Sequence, residues 1–261
     1  MDVNRDVEWE GAANARDLGG IPVAGGGAVA PGRIFRMGRS EWLTENGWRQ
    51  AYDDGVRTVV DLRNGSEIGR RDTDPEVPPS AVRGITFLNR PTQEAKDPEF
   101  TALTGPYMDS PRYYRENLRR WPEKIAAVVG AIADAGDGAV AIHCSAGRDR
   151  TGLIAMLLLQ LAGAPPEAIA DDYEQAVRGI NAFHATQAHP RERPMSAQEE
   201  QARVADGRRE LLRALDGFDA EQYLRAAGVS PAAIQRLRRR LLPQRAGGSG
   251  KPLQQLHQGQ P

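Results

Sequence analysis

The sequence predicts an α/β fold: a central, mostly parallel sheet flanked by helices, with a helical C-terminal part. Three observations predict it. Short apolar, β-branched runs at 56–62, 85–88 and 139–142 alternate with segments of helical period. The run at 139–142 leads into a ten-residue polar string, His143 to Gly152, and then into an apolar stretch at 153–159, the order of strand, tight loop and helix. Beyond residue 165 only helical periods and helix caps follow.

Each element has its local reason. Residues 8–36 mix glycines with short apolar pieces, which predicts hairpins. Residues 44–54 read as a helix closed by Gly55, and 56–62 as a buried strand. Residues 91–111 hold Pro91, Pro98, Gly105, Pro106 and Pro111 and are expected to form a long loop beside the site. Ile125, Val128, Val129 and Ile132 recur at helical spacing after Trp121-Pro122-Glu123, so Pro122 reads as a first-turn proline and Glu123 as a first-turn acid. Pro165-Pro166 opens a helix with Ile169, Tyr173 and Val177 on one face. In 184–222, His189-Pro190, Pro194 and the capping box Ser196-x-x-Glu199 precede a highly charged helical stretch, and His184 and His189 are expected on a loop. Ser230-Pro231 starts the last helix, with Val229 and Ile234 placed as a hydrophobic staple and Arg236, Arg238, Arg239 and Arg240 near its end. Residues 1–242 are expected to form one domain and 243–261, rich in Gly, Gln and Ser, a disordered tail.

The chemistry concentrates in His143-Cys144-Ser145-Ala146-Gly147-Arg148-Asp149-Arg150-Thr151-Gly152, which contains the single cysteine of the 261 residues. A loop between strand and helix can turn its N–H groups onto an anion, and the helix N-terminus adds positive potential. The fork of Arg150, six positions after Cys144, matches two phosphate oxygens. The same field favours the thiolate of Cys144 as a nucleophile. A lone cysteine is ordinarily a small buried hydrophobe; the glycine, two arginines and aspartate around this one favour the catalytic reading. Ser145, Ala146, Gly147, Arg148 and Arg150 are then the phosphate-binding residues.

This string resembles the protein-tyrosine and dual-specificity phosphatase superfamily, in particular a bacterial branch whose loop reads HC-x-AG-K-DRTG. Asn14-Ala15-Arg16-Asp17-Leu18-Gly19-Gly20 is similar to that branch's N-F-R-D-L-G-G, and Val59-Val60-Asp61-Leu62-Arg63 with Glu67 to its I-D-L-R-x-x-x-E. The segments stand in the same order, and the resemblance spans roughly residues 8 to 242. Ala15 replaces an aromatic and Arg148 a lysine. The resemblance implies a phosphomonoester hydrolase acting on phosphotyrosine, with phosphoserine and phosphothreonine as further substrates, through a cysteinyl-phosphate intermediate. It also implies Asp149 as the acid that protonates the leaving oxygen, the rival reading being a salt bridge from Asp149 that orients Arg148 or Arg150. His143 is expected to brace the loop. Thr151 is expected either to hydrogen-bond the sulfur or to cap the helix. Asp61 is a supporting residue near the loop or simply the end of a strand, and Arg16 and Asp17 either flank the loop or hold a turn. The 184–222 segment is either a helical lid over the site or a solvated helix pair.

Composition narrows the alternatives. A net charge of −1 argues against a nucleic-acid partner. Of the 34 basic residues, all but Lys96, Lys124 and Lys251 are arginine, which reads as codon bias. No apolar stretch approaches the ~20 residues of a spanning helix, so no stable membrane insertion is expected. The first residues have no signal-peptide pattern, and one cysteine suits a reducing cytoplasm. Cysteine and arginine do without a cofactor, and the four histidines lack metal-ligand spacing. The expected partner is a phosphorylated protein or a small phosphoester; the oligomeric state stays open. Three alternatives are weighed: a phosphoinositide or small-metabolite phosphatase, with Arg148 reading extra charge; a phosphate-binding pseudoenzyme; and a rhodanese-type sulfurtransferase, whose loop is one residue shorter.

Overall fold

The computed structural model describes residues 5–94, 96–105, 108–188 and 190–243. Five strands form one sheet in the order β1-β2-β5-β3-β4: β1 (Arg16–Asp17), β2 (Ile34–Met37), β3 (Val56–Asp61), β4 (Thr86–Asn89) and β5 (Ala139–His143). Only the β1–β2 pair is antiparallel; β2, β5, β3 and β4 run parallel.

Residue alternation decides which side chains meet which layer. On one face, Phe35, Met37, Val56, Val59, Ala139 and Ala141 pack with Trp48 and Ala51 of α1 (Glu45–Asp53). On the other, Ile34, Val60, Val140 and Ile142 join the main core. Its helices include α3 (Tyr114–Arg120), α4 (Pro122–Asp134), α5 (Asp149–Ala162), α6 (Pro166–Thr186), α7 (Ala197–Leu215), α8 (Ala220–Ala226) and α9 (Pro231–Leu241). The central strand β5 is buried along its whole length, paired with β2 at Ile142↔Arg36 and with β3 at Ile142↔Val60. Its C-terminal end is thus the best-fixed point of the sheet edge where parallel strands deliver a site. The helix that follows, α5, is apolar on nearly every side and correspondingly buried.

Most local expectations hold. Thr44 caps α1 through Gly47 N–H at 3.1 Å. Pro122 opens α4, and Ile125, Val128, Val129 and Ile132 are fully buried. The capping box at Ser196 and Glu199 is formed, with bonds of 3.3 and 2.8 Å. Ser230 caps α9 at 3.2 Å.

Four differ. The 91–111 segment is not all loop: Asp97 caps a short helix, α2 (Pro98–Thr104), accepting from Phe100 N–H at 2.8 Å, with Pro98 in its first turn and Phe100 buried. The loop helix α5 begins at Asp149 rather than near Thr151, so Thr151 lies inside it and is no cap. His184 is not on a loop but buried in the last turn of α6. The highly charged helix α7 is not solvated all round, since Val204, Leu211, Ala214 and Leu215 join the main core and Gly207 lets the Tyr173 ring approach. Pro106, His189 and the tail from 244 on lie outside the described residues.

Candidate active site

Residues 144–148 leave the end of β5 and enter α5 as a closed loop. Its shape follows from where its carbonyls go. Cys144 O accepts from His143 Nδ1 at 3.1 Å, Ser145 O from Arg39 N–H at 3.0 Å and Ala146 O from Asn14 Nδ2 at 3.0 Å. Gly147 O and Arg148 O accept from Arg36 Nη2 at 2.8 and 3.3 Å, and Asp149 O from Tyr114 Oη at 2.8 Å. Six successive carbonyls are held from outside the loop. Among the described residues, no protein acceptor meets the amides of Ser145, Ala146, Gly147 or Arg148. These amides and the N-terminus of α5 are left without a protein acceptor, as a loop that receives an anion requires. Gly147 is required for it: φ is +68°, and a Cβ would stand 2.3 Å from Met37 O.

Cys144 lies at the base of the cradle, 3% exposed. Arg150 is buried, and its two Nη atoms donate to the two carboxylate oxygens of Glu67 at 2.6 and 2.8 Å. That fork holds the guanidinium flat and keeps it charged. Glu67 belongs to the third sequence motif, but the sequence alone did not pair it with Arg150.

Asp149 is also buried. Its Oδ2 accepts from Arg148 Nε at 2.9 Å and its Oδ1 from Tyr173 Oη at 2.7 Å. Burial raises its pKa, against the opposing pull of Arg148 and Tyr173. Arg148 is not free: besides Asp149 it pairs with Glu192 at 3.2 Å. The salt bridge weighed against the acid role for Asp149 is therefore present, and it goes to Arg148.

The supporting residues fall in two groups. His143, fully buried and with its pKa lowered by that burial, binds the loop at Cys144 O and stands 3.7 Å from Asp61. Asp61 ends β3 and is committed to Arg63, with contacts of 2.7 to 3.2 Å; among the described residues its link to the loop runs through His143. Thr151 Oγ1 is buried and, among the described residues, has no hydrogen-bond partner. Asp17 holds a turn, accepting from Gly19 and Gly32 N–H groups at 2.8 and 2.6 Å. Arg16 steadies Asn14 at 2.5 Å, and Asn14 in turn holds Ala146. Asn14, Arg36 and Tyr173 hold the loop or Asp149, contacts that the sequence did not single out. An asparagine with φ +57° and a charged residue in a strand buried throughout are legible only once the sheet is assembled.

Among the described residues no group of three or more His, Cys, Asp or Glu could hold a metal ion, and no helix is long and apolar enough to cross a membrane.

Comparison with known proteins shows the family. A model of the tyrosine phosphatase family matches residues 7–243. The chain is 27% identical to the triple specificity protein phosphatase PtpB of Mycobacterium tuberculosis, over 90% of this chain and 98% of that one. It is 30% identical to a Cupriavidus necator protein that carries a tyrosine-protein phosphatase name, over 69% of this chain and 66% of that one, just under two thirds of its length. Over a shorter stretch, 42% of this chain and 41% of the other, it is 41% identical to a tyrosine-protein phosphatase of Nostoc commune. The α/β sheet, the buried cysteine under a backbone cradle and the fork-held arginine are the parts such an enzyme needs, and the chain belongs to the tyrosine phosphatase family.

Proposed function

We propose that the chain hydrolyses phosphotyrosine, with phosphoserine and phosphothreonine as slower substrates, by covalent catalysis at Cys144. The observation that carries this is the loop itself: six carbonyls held from outside, amides without a protein acceptor among the described residues, a buried cysteine and Arg150 fixed by Glu67.

In the first step the Cys144 sulfur attacks phosphorus, the S–P bond forms and the P–O bond to the leaving group breaks. Asp149 gives the leaving oxygen its proton. Burial, which raises the pKa of Asp149, supports that role by favouring the protonated form. Arg150 and the loop amides bind the equatorial oxygens, where charge spreads in the transition state. In the second step water attacks phosphorus, Asp149 takes its proton, and the thiolate departs. The Thr151 hydroxyl, buried and unpartnered two residues into α5, supports a hydrogen bond to that departing sulfur.

The phosphoinositide alternative rested on Arg148 as a spare cation. Its pairing with Asp149 and Glu192 removes that support. In 184–222, the part that reaches the loop is the strap between α6 and α7, through Arg191 on Ser145 and Glu192 on Arg148; these contacts support a cover over the site. The single cysteine supports a reducing compartment.

The test is phosphate release with EDTA present, across phosphotyrosine, phosphoserine and phosphothreonine peptides, inositol phosphates and sugar phosphates. Phosphotyrosine ranking first is the expected result. An inositol or sugar phosphate ranking first by kcat/KM would replace the substrate reading.

A further inference from the structure

The Asp149 carboxylate is aimed by a side chain from another helix. Tyr173 of α6 donates its hydroxyl to Oδ1 at 2.7 Å. Burial, with Asp149 beside it, holds the Tyr173 pKa well above its usual range, so this hydroxyl stays a donor. The Tyr173 ring is in turn held between glycines of two further helices. A Cβ at Gly152 of α5 would stand 3.1 Å from Cδ2 of the ring, and a Cβ at Gly207 of α7 would stand 2.6 Å from Cε1 and 3.2 Å from Cδ1. The ring thus lies in a slot, with α5 against one edge and α7 against the other.

These glycines serve for space. Neither has a positive φ, and both lie within helices, where glycine is less stable than alanine. Gly152 makes room for a second tyrosine as well, since its Cβ would meet Tyr114 Oη at 2.6 Å. At Gly207 the three atoms nearest to an added Cβ all belong to the Tyr173 ring. The slot is not free to widen. Arg178 and Asn181 of α6 bind Glu200 of α7 at 2.8 and 2.7 Å, Arg208 of α7 binds Asp171 of α6, and Val204, Leu211 and Leu215 of α7 are buried in the main core.

We propose that Gly207 is a positioning residue for the acid: α7, a helix outside the catalytic loop, fixes the Tyr173 hydroxyl on Asp149 through the glycine that admits the ring. This role rests on Asp149 being the acid, as proposed above. The other groups that face Asp149 are Arg148, with Nε at 2.9 Å, Tyr114, whose hydroxyl binds the Asp149 carbonyl, Tyr113, and Asp109, which is itself paired with Arg203 of α7.

The test is the pH profile of kcat for an alkyl phosphate, with Tm alongside, for wild type, Gly207→Ala, Tyr173→Phe, the double variant and Leu215→Ala. An added methyl at 207 displaces the ring, the hydroxyl leaves Oδ1, and Asp149 loses a donor that favours its charged form. Its pKa rises, so it stays protonated to higher pH. The fall of kcat at high pH should therefore move up by about one pH unit in Gly207→Ala, the size of one hydrogen bond to a charged group. Tyr173→Phe should give the same shift, and the double variant should move no further, because both changes act through one hydroxyl. Leu215→Ala, farther along α7, should lower Tm and leave the profile in place. A Gly207→Ala profile that coincides with wild type, or a shift that adds to that of Tyr173→Phe, overturns the inference. If Gly207→Ala does not fold, the comparison moves to Tyr173→Leu, which empties the slot. Gly207→Ala should then be tolerated, with a Tm close to that of Tyr173→Leu alone, and failure to fold in that background also overturns the inference. Asp149→Asn costing alkyl and nitrophenyl phosphate turnover equally would instead sink the acid reading itself.

Discussion

Asp149 has both carboxylate oxygens engaged, one by Tyr173 and one by Arg148, and both donors favour its charged form. A general acid must be protonated, so turnover of alkyl phosphates should fall as pH rises through the Asp149 pKa. Tyr173→Phe removes one of the donors, raises that pKa and should move the fall to higher pH; a pH–rate profile on an alkyl phosphate reads it. Asp149→Asn should cost about a hundredfold or more with an alkyl phosphate and much less with nitrophenyl phosphate, whose leaving group needs no proton. An equal loss on both would make Asp149 only a support for Arg148. At Arg150 the decisive partner is Glu67. Glu67→Gln leaves one fork of the guanidinium weakly held, so KM for phosphate esters should rise about tenfold or more, read by steady-state kinetics.

At the scale of elements, the Trp121-Pro122-Glu123 triplet shows how helical period settles a chemical question. It has the look of a mobile acid loop, yet the buried positions that follow make Pro122 and Glu123 the first turn of α4. Glu123→Gln should leave turnover unchanged within about twofold on any substrate. The loop–helix junction was legible because strand, glycine and arginine spacing are local. The short α2 was hidden by the prolines of its segment, although Asp97-Pro98 is itself a cap signal. Tyr173 was placed correctly on the core-facing side of α6, but its hydroxyl could be aimed at Asp149 only once α5 and α6 were packed together. Arg36 falls at the end of 8–36, which reads in the sequence only as hairpins. Its register opposite Ile142, beside the loop, is a property of the sheet and not of its own neighbours in sequence. Gly147→Ala should abolish activity, because its Cβ would collide with the Met37 carbonyl.

Across the whole molecule, the site is tied to the chain's N-terminal part and to α6 by buried charge. Asp172 of α6 is paired with Arg5 and Arg36, and Arg36 holds the loop carbonyls. Burial alone would raise the pKa of Asp172, but Arg36, Arg16 and Arg5 outweigh it and lower the value to about 2. An unfolded aspartate titrates at ~3.9. The stability from this lowering is therefore fully present above about pH 4 and is lost as pH falls toward about 2. Asp172→Asn should lower Tm at neutral pH and flatten the acid limb of the Tm–pH curve over that interval. The parallel sheet and its helical cover were legible as a pattern of alternating periods. The buried arginines that weld the sheet to the loop were not, since a strand arginine reads as solvated until both faces are covered.

The most direct measurement is alkali-quenched trapping of the enzyme during turnover of labelled phosphotyrosine peptide, followed by mapping of the label. The account predicts labelled phosphate on the Cys144 sulfur, lost in mild acid and stable in alkali as an S–P bond is, and absent in Cys144→Ser, which should release no phosphate. Phosphate release that survives in Cys144→Ser, or label on any other residue, would contradict covalent catalysis at this loop.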